Sequence, residues 1–187
     1  MNIKAKLREA LLGEGENKRK KFGCVMTYLK TDKKNWGKIQ EAIEDEDLYL
    51  PKGEEDFYGR EMKPHVTILF GLHSDIPDED VEKEIDKIKT PELKLGKVSS
   101  FTNEKFDVLK YDIESKDLHE LNKKFSEFPH TTDYPDYHPH CTIAYVNKGM
   151  AEKYIKKLNE LDSIEITPEK IVYSKADGEK KNYSLDK

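Results

Sequence analysis

At 187 residues the chain is long enough to bury an apolar core without disulfide or metal staples, as one domain or as two lobes sharing a core. Lys and Arg number 33 against 38 Asp and Glu, a net charge of −5, with 38% of residues charged and a mean hydropathy of −0.89. That balance excludes the broad positive field that holds a long polyanion by counterion release, so a substrate resembling nucleic acid has to be small or gripped locally.

Residues 1–21 read as a charged extension with a short amphipathic helix (Leu7, Leu11, Leu12) ended by Gly13 and Gly15. They hold no apolar signal-peptide core, and their KRKK run at 18–21 reads as solvated charge in a connector. No apolar run approaches the eighteen residues of a membrane span. A soluble, intracellular protein is expected, its two cysteines, Cys24 and Cys141, being buried free thiols inside apolar runs.

Phe22–Lys30 predicts an interior strand, with Phe22, Cys24, Met26 and Tyr28 on one face and Val25, Thr27 and Leu29 on the other. Asp32 starts a helix whose Trp36, Ile39 and Ile43 face the core. A long polar loop follows at 45–63, whose Tyr49, Phe57 and Tyr58 are candidates to cover a pocket. After a strand at 64–72, Pro77 opens a helix with Val81, Ile85 and Ile88 in register, and strands are expected at 93–100 and 106–114. Ser115 suits the N-cap of a helix at 116–128, and a second long loop at 129–138 leads into a strand ending at Val146. The tail predicts a helix at 148–161 and strands near 163–167, 170–175 and 181–185, with Asp177-Gly178 as a hairpin turn.

Two of these strands carry the chemistry. PHVTILFGL (64–72) and HPHCTIAYV (138–146) each open with His-x-Thr: His65 and Thr67, then His140 and Thr142. On a strand, residues i and i+2 share a face, so each imidazole points the same way as its hydroxyl while Val66 and Cys141 point oppositely. The bland alternative is two structural histidines at strand starts. The halves also repeat an order, strand, helix, long loop, motif strand, helix, strand, with the motif histidines 75 residues apart. The fold expected is α+β, with two pseudo-symmetric lobes of antiparallel sheet backed by helices and a central cleft on the pseudo-twofold axis.

Two imidazoles across one cleft suit general acid–base catalysis, since near pH 7 one can take a proton while the other gives one. Threonine hydroxyls on the same faces can donate to charge developing on non-bridging oxygens, and together the set matches phosphodiester cleavage. His130, Asp133, Asp136, His138 and His140 crowd together as a metal alternative, but Pro139 interrupts them and the usual Cys/His spacings are missing, so no metal or other cofactor is expected. Tyr28 and Phe101 are the candidate platforms for stacking bases, each equally readable as a core aromatic.

From about residue 22 to 185 the chain resembles the two-histidine (2H) phosphoesterases, which carry paired His-x-Thr/Ser on strands of two pseudo-symmetric lobes. The resemblance implies that 22–187 is a single bilobal domain, that His65 and His140 are the acid–base pair, that Thr67 and Thr142 contact the phosphate, and that no metal is needed. The stretches EMKPHVTILFGL, FTNEKFDVLKYDIE and FPHTTDYPDYHPHCTIAYV look most like the phage anti-CBASS nucleases. That implies cleavage of cyclic di- and trinucleotide second messengers in the cytoplasm of an infected bacterium, with a cyclic oligonucleotide as partner and neither long nucleic acid nor membrane. The alternatives are a 2H enzyme acting on RNA ends (2′,3′-cyclic phosphodiesterase or 2′–5′ RNA ligase-like), a non-catalytic nucleotide-binding protein, and a phage structural or assembly protein.

Overall fold

The computed structural model describes residues 22–132, 136–161 and 164–185. In chain order they form β1 (Phe22–Thr31), α1 (Lys33–Glu41), β2 (His65–His73), α2 (Asp78–Ile85), β3 (Lys94–Thr102), β4 (Phe106–Glu114), α3 (Lys116–Phe125), β5 (His140–Asn147), α4 (Ala151–Asn159), β6 (Ile166–Ser174) and β7 (Lys180–Ser184). The expected helix in 1–21 and the KRKK run lie outside the described residues.

The strands make one seven-stranded antiparallel sheet in the order β3-β4-β5-β2-β1-β6-β7. Exchanging β1 with β4, β2 with β5 and β3 with β6 reverses the first six strands onto themselves, which is the pseudo-twofold the repeated order predicted, with β7 as an addition. The lobes are not the two halves of the chain, however. β3 pairs with β4 and β6 with β1, so each lobe takes its outer strand from the opposite half. The axis falls where β2 and β5 meet through a single pair, Val66 with Cys141, the central residues of the two His-x-Thr motifs.

All four helices back one face of this sheet. Val25, Val66, Leu72, Leu109, Cys141, Ile143 and Ile171 from the strands form one core with Ile39, Val81, Leu118, Phe125, Tyr154 and Leu158 from the helices. Burying side chains of this size contributes about 1.5–3 kcal/mol each, which fixes the register because a one-residue slip would turn every one of them outward. The caps follow the sequence: the Asp32 carboxylate accepts from the Lys34 amide at 2.8 Å, and the Ser115 hydroxyl accepts from Leu118 at 3.1 Å. α3 and α4 stop at Phe125 and Asn159, short of the expected 128 and 161.

The tail differs from expectation in one respect. A single strand, β6, replaces the two predicted at 163–167 and 170–175, because a bulge on β6 at Glu169, opposite Tyr28 and Leu29 of β1, lets the strand run on past Pro168. The β6–β7 hairpin turns at Asp177-Gly178, where Gly178 has φ +95°.

Both long loops serve the sheet. Beyond the Val66–Cys141 pair the motif strands part, and each free edge is taken by the loop that precedes the other strand. Leu48 and Arg60 from the first loop bridge Val146 and Ala144 on β5, while His130 from the second bridges Leu72 on β2. Gly71 makes the second contact possible: it has φ +104°, its carbonyl accepts from the Thr131 amide at 2.9 Å, and a Cβ there would lie 2.0 Å from the Thr131 carbonyl oxygen.

Candidate active site

Val66 and Cys141 are buried to within 1% of their surface on the helix-packed side, so His65, Thr67, His140 and Thr142 lie on the opposite, helix-free face. Continuing the Val66–Cys141 register by one residue sets His65 across from Thr142 and Thr67 across from His140. Immediately after each threonine, an extra residue opens a bulge, Ile68 on β2 and Ile143 on β5, both fully buried. A bulge bends and twists its strand, and matched bulges aim the two His-x-Thr pairs alike.

The imidazoles are held identically. His65 Nδ1 donates to the Lys63 carbonyl at 2.9 Å, and His140 Nδ1 donates to the His138 carbonyl at 2.7 Å, in each case two residues back. A carbonyl only accepts, so both rings carry hydrogen on Nδ1 and leave Nε2 as the atom that exchanges protons. A Glu61 carboxylate oxygen lies 3.9 Å from the same His65 nitrogen.

Each histidine has an aromatic neighbour, and each of those rings also meets a lysine. Tyr28 lies 5.6 Å from His65 between ring centroids, and Lys170 Nζ is 5.5 Å from the centre of the Tyr28 ring. Phe101 meets His140 edge-on at 4.9 Å, with Lys110 Nζ 4.3 Å from the Phe101 centre. The two rings singled out from sequence therefore flank the two histidines, one in each lobe.

The flanking groups that the sequence reading missed are Lys110, Asp112, Ser99, Lys170 and Glu61. Lys110 is almost fully buried, bonds the Asp112 carboxylate and donates to the Ser99 hydroxyl at 2.7 Å, while Ser99 donates to Asp112 at 2.9 Å. Burial pushes the Asp112 carboxyl upward, but the Lys110 ammonium and Ser99 hydroxyl, with help from His140, outweigh it and hold the group below the usual carboxylate range. A signal existed: Lys110 and Asp112 are opposite charges at i and i+2 in the otherwise apolar Val108–Ile113 run, so they share one face of an interior strand.

Elsewhere the sequence candidates divide. Tyr49 and Tyr58 pack against Phe106 and Tyr145 at 4.9–5.4 Å on the motif face of the second lobe, whereas Phe57 is exposed. A third His-x-Thr, His130 and Thr132, matches the pattern but sits in a loop; its bridge partner Leu72 faces the core, which puts His130 on the helix side. Cys24 and Cys141 are buried free thiols pushed up to about 12 by desolvation, too high to supply a thiolate nucleophile. Among the described residues no three His, Cys, Asp or Glu side chains converge as metal ligands; Asp133 of the candidate cluster lies outside them.

The family model of the 2′-5′ RNA ligase superfamily matches residues 33–180, which include both motifs and well over half of the sequence. The chain belongs to this superfamily, the 2H phosphoesterases. Its fold is shared with the solved structure of Kluyveromyces marxianus Usb1 with uridine monophosphate, at a TM-score of 0.50 and 11% identity over 89% of this chain and 99% of that one. No curated protein matches the chain by sequence. Among the described residues no helix of this 2H phosphoesterase is long and apolar enough to cross a membrane.

Proposed function

We propose that the protein is a phosphodiesterase that opens the 3′–5′ bonds of cyclic di- and trinucleotide second messengers, and so silences CBASS defence in the cytoplasm of an infected bacterium. The observation that carries this reading is the matched pair of imidazoles, each held at Nδ1 by its own chain and each flanked by a ring, Tyr28 or Phe101, suited to one base. A small substrate with two bases also fits a chain whose net charge is −5.

The attacking group is the ribose 2′-OH next to the scissile phosphate. It is already tethered to the phosphorus it strikes, which contributes up to about 7–11 kcal/mol when the approach is in line. One histidine Nε2 takes the 2′-OH proton as the new O–P bond forms; the other protonates the departing 5′-oxygen as its P–O bond breaks. Thr67 and Thr142 donate to the crowded non-bridging oxygens between them. The first product is a linear chain ending in a 2′,3′-cyclic phosphate.

The test is a panel of cyclic dinucleotides, cyclic trinucleotides and nucleoside 2′,3′-cyclic phosphates incubated with EDTA in H₂¹⁸O and read by mass spectrometry. Cleavage of the cyclic oligonucleotides to a first product without ¹⁸O is expected. Ready cleavage of a 2′-deoxy analogue, or ¹⁸O in the first-formed linear product, would overturn the mechanism. A second reading, an enzyme acting on RNA ends, is favoured by the matched superfamily's description as 2′-5′ RNA ligases, and turnover confined to 2′,3′-cyclic phosphates would select it.

A further inference from the structure

The pairings across the sheet align one row on the motif face: Ser99, Lys110 and Thr142 from the second lobe, then His65, Tyr28 and Lys170 from the first. Two cations stand in this row, and they differ. The Lys110 ammonium is enclosed and neutralised by Asp112 and Ser99, so it has little charge left to offer a ligand. The Lys170 ammonium makes no hydrogen bond or ion pair among the described residues. It is half-buried, its position braced by the Tyr28 ring face at 5.5 Å.

We propose that Lys170 binds a second phosphate of the substrate, one nucleotide away from the phosphate under attack between the histidines. The inference rests on the phosphodiesterase reading and adds a specificity determinant to it. Lys170 lies two strand spacings from His65, about 10 Å, which is the scale of a nucleotide unit. A lysine meets phosphate as a compact point charge, and in an acidic protein an uncompensated one on the reacting face is the group that can tell a dinucleotide from a mononucleotide. Tyr28, between the two phosphate seats, is placed to hold the intervening base.

The experiment compares wild type, Lys170→Met and Lys170→Arg, with Lys123→Met, an exposed lysine on α3 on the far side of the sheet, as control. Three probes are used: a cyclic dinucleotide, a linear dinucleotide ending in a 2′,3′-cyclic phosphate, and a nucleoside 2′,3′-cyclic phosphate, which has only the reacting phosphate. The expected result is that Lys170→Met lowers kcat/KM for whichever two-phosphate substrate wild type turns over about tenfold more than for the one-phosphate substrate, through KM. Lys170→Arg should restore most of the difference, and added salt should erode it in wild type but not in Lys170→Met. Equal losses on both substrates, or none, would overturn the assignment. Wild-type activity on the two 2′,3′-cyclic phosphates but not on the cyclic dinucleotide would reject the proposed substrate class while still measuring Lys170 on the linear dinucleotide. Activity on none of the three would reject the phosphodiesterase reading and Lys170 with it.

Discussion

Around His140, charge is settled within the protein. Phe101 touches both the imidazole and the buried Lys110, and Lys110 is bound by Asp112 and Ser99. Around His65 charge is left open: Tyr28 carries a hydroxyl, Lys170 has no carboxylate partner among the described residues, and Glu61 stands 3.9 Å from the imidazole. What the lobes share, the Nδ1 bonds, the bulges and the facing threonines, is imposed by strand register. What separates them comes from side chains on the neighbouring strands. The two rings are thus held alike but stand in different surroundings, which is the arrangement the proposed pairing of one acid with one base calls for.

The shared part is the more consequential, and breaking it should have the largest effect. His65→Ala or His140→Ala is expected to lower kcat about 10²–10⁴-fold with the fold intact by circular dichroism, and the double variant to be scarcely worse than either single one. Near-wild-type turnover in one single variant would mean that the two rings are not a unit. Thr67→Val and Thr142→Val should each lower kcat about 10²-fold, matching the loss of one donor to developing charge; steady-state kinetics on both variants shows whether the symmetry extends to the hydroxyls.

The remaining comparisons test what differs. Lys110→Met should destabilise the fold by about 2–3 kcal/mol in urea denaturation, less than a fully buried pair because Asp112 reaches solvent, and Lys110→Met/Asp112→Asn should recover part of the loss. Tyr28→Ala and Phe101→Ala should raise KM by the worth of one stacked base, about 1–3 kcal/mol each, with Phe101→Ala also losing stability because it uncovers Lys110. The smallest effect concerns acid. Asp112 has a depressed folded-state pKa, so its contribution to stability is present above the unfolded value, about pH 4, and lost as pH falls through the folded value. Denaturation midpoints of Asp112→Asn should therefore approach wild type as pH falls below about 4.

The candidate pairs were legible because His-x-Thr at the head of a β-branched run fixes both an element and a face. β1, β4 and the caps at Asp32 and Ser115 followed from local periodicity in the same way. What local pattern could not give is partnership across the chain. The short turn at 103–105 joins Lys94–Thr102 to β4, but nothing near it announces that this strand completes the other lobe, nor that Leu48 and Arg60 will edge β5. Lys170 escaped for a related reason: beside Pro168 it looked like the start of a fresh strand, and only the pairing with Tyr28 brings it to the site.

The exchange of outer strands also sets the order in which the protein can be made. Thr27 on β1 reaches the Lys170 carbonyl across 143 positions of sequence, and β1 stays unpaired on that side until β6 has been synthesised. At roughly 5–20 residues per second, a ribosome leaves that strand edge exposed for about 7–30 s after Phe22 emerges. Folding while the chain is still growing can therefore yield the β1–β2 hairpin with α1 but not a finished first lobe, which closes only once β6 has emerged. A chain truncated before Ile166 should be insoluble rather than half folded, even though it contains both His-x-Thr motifs.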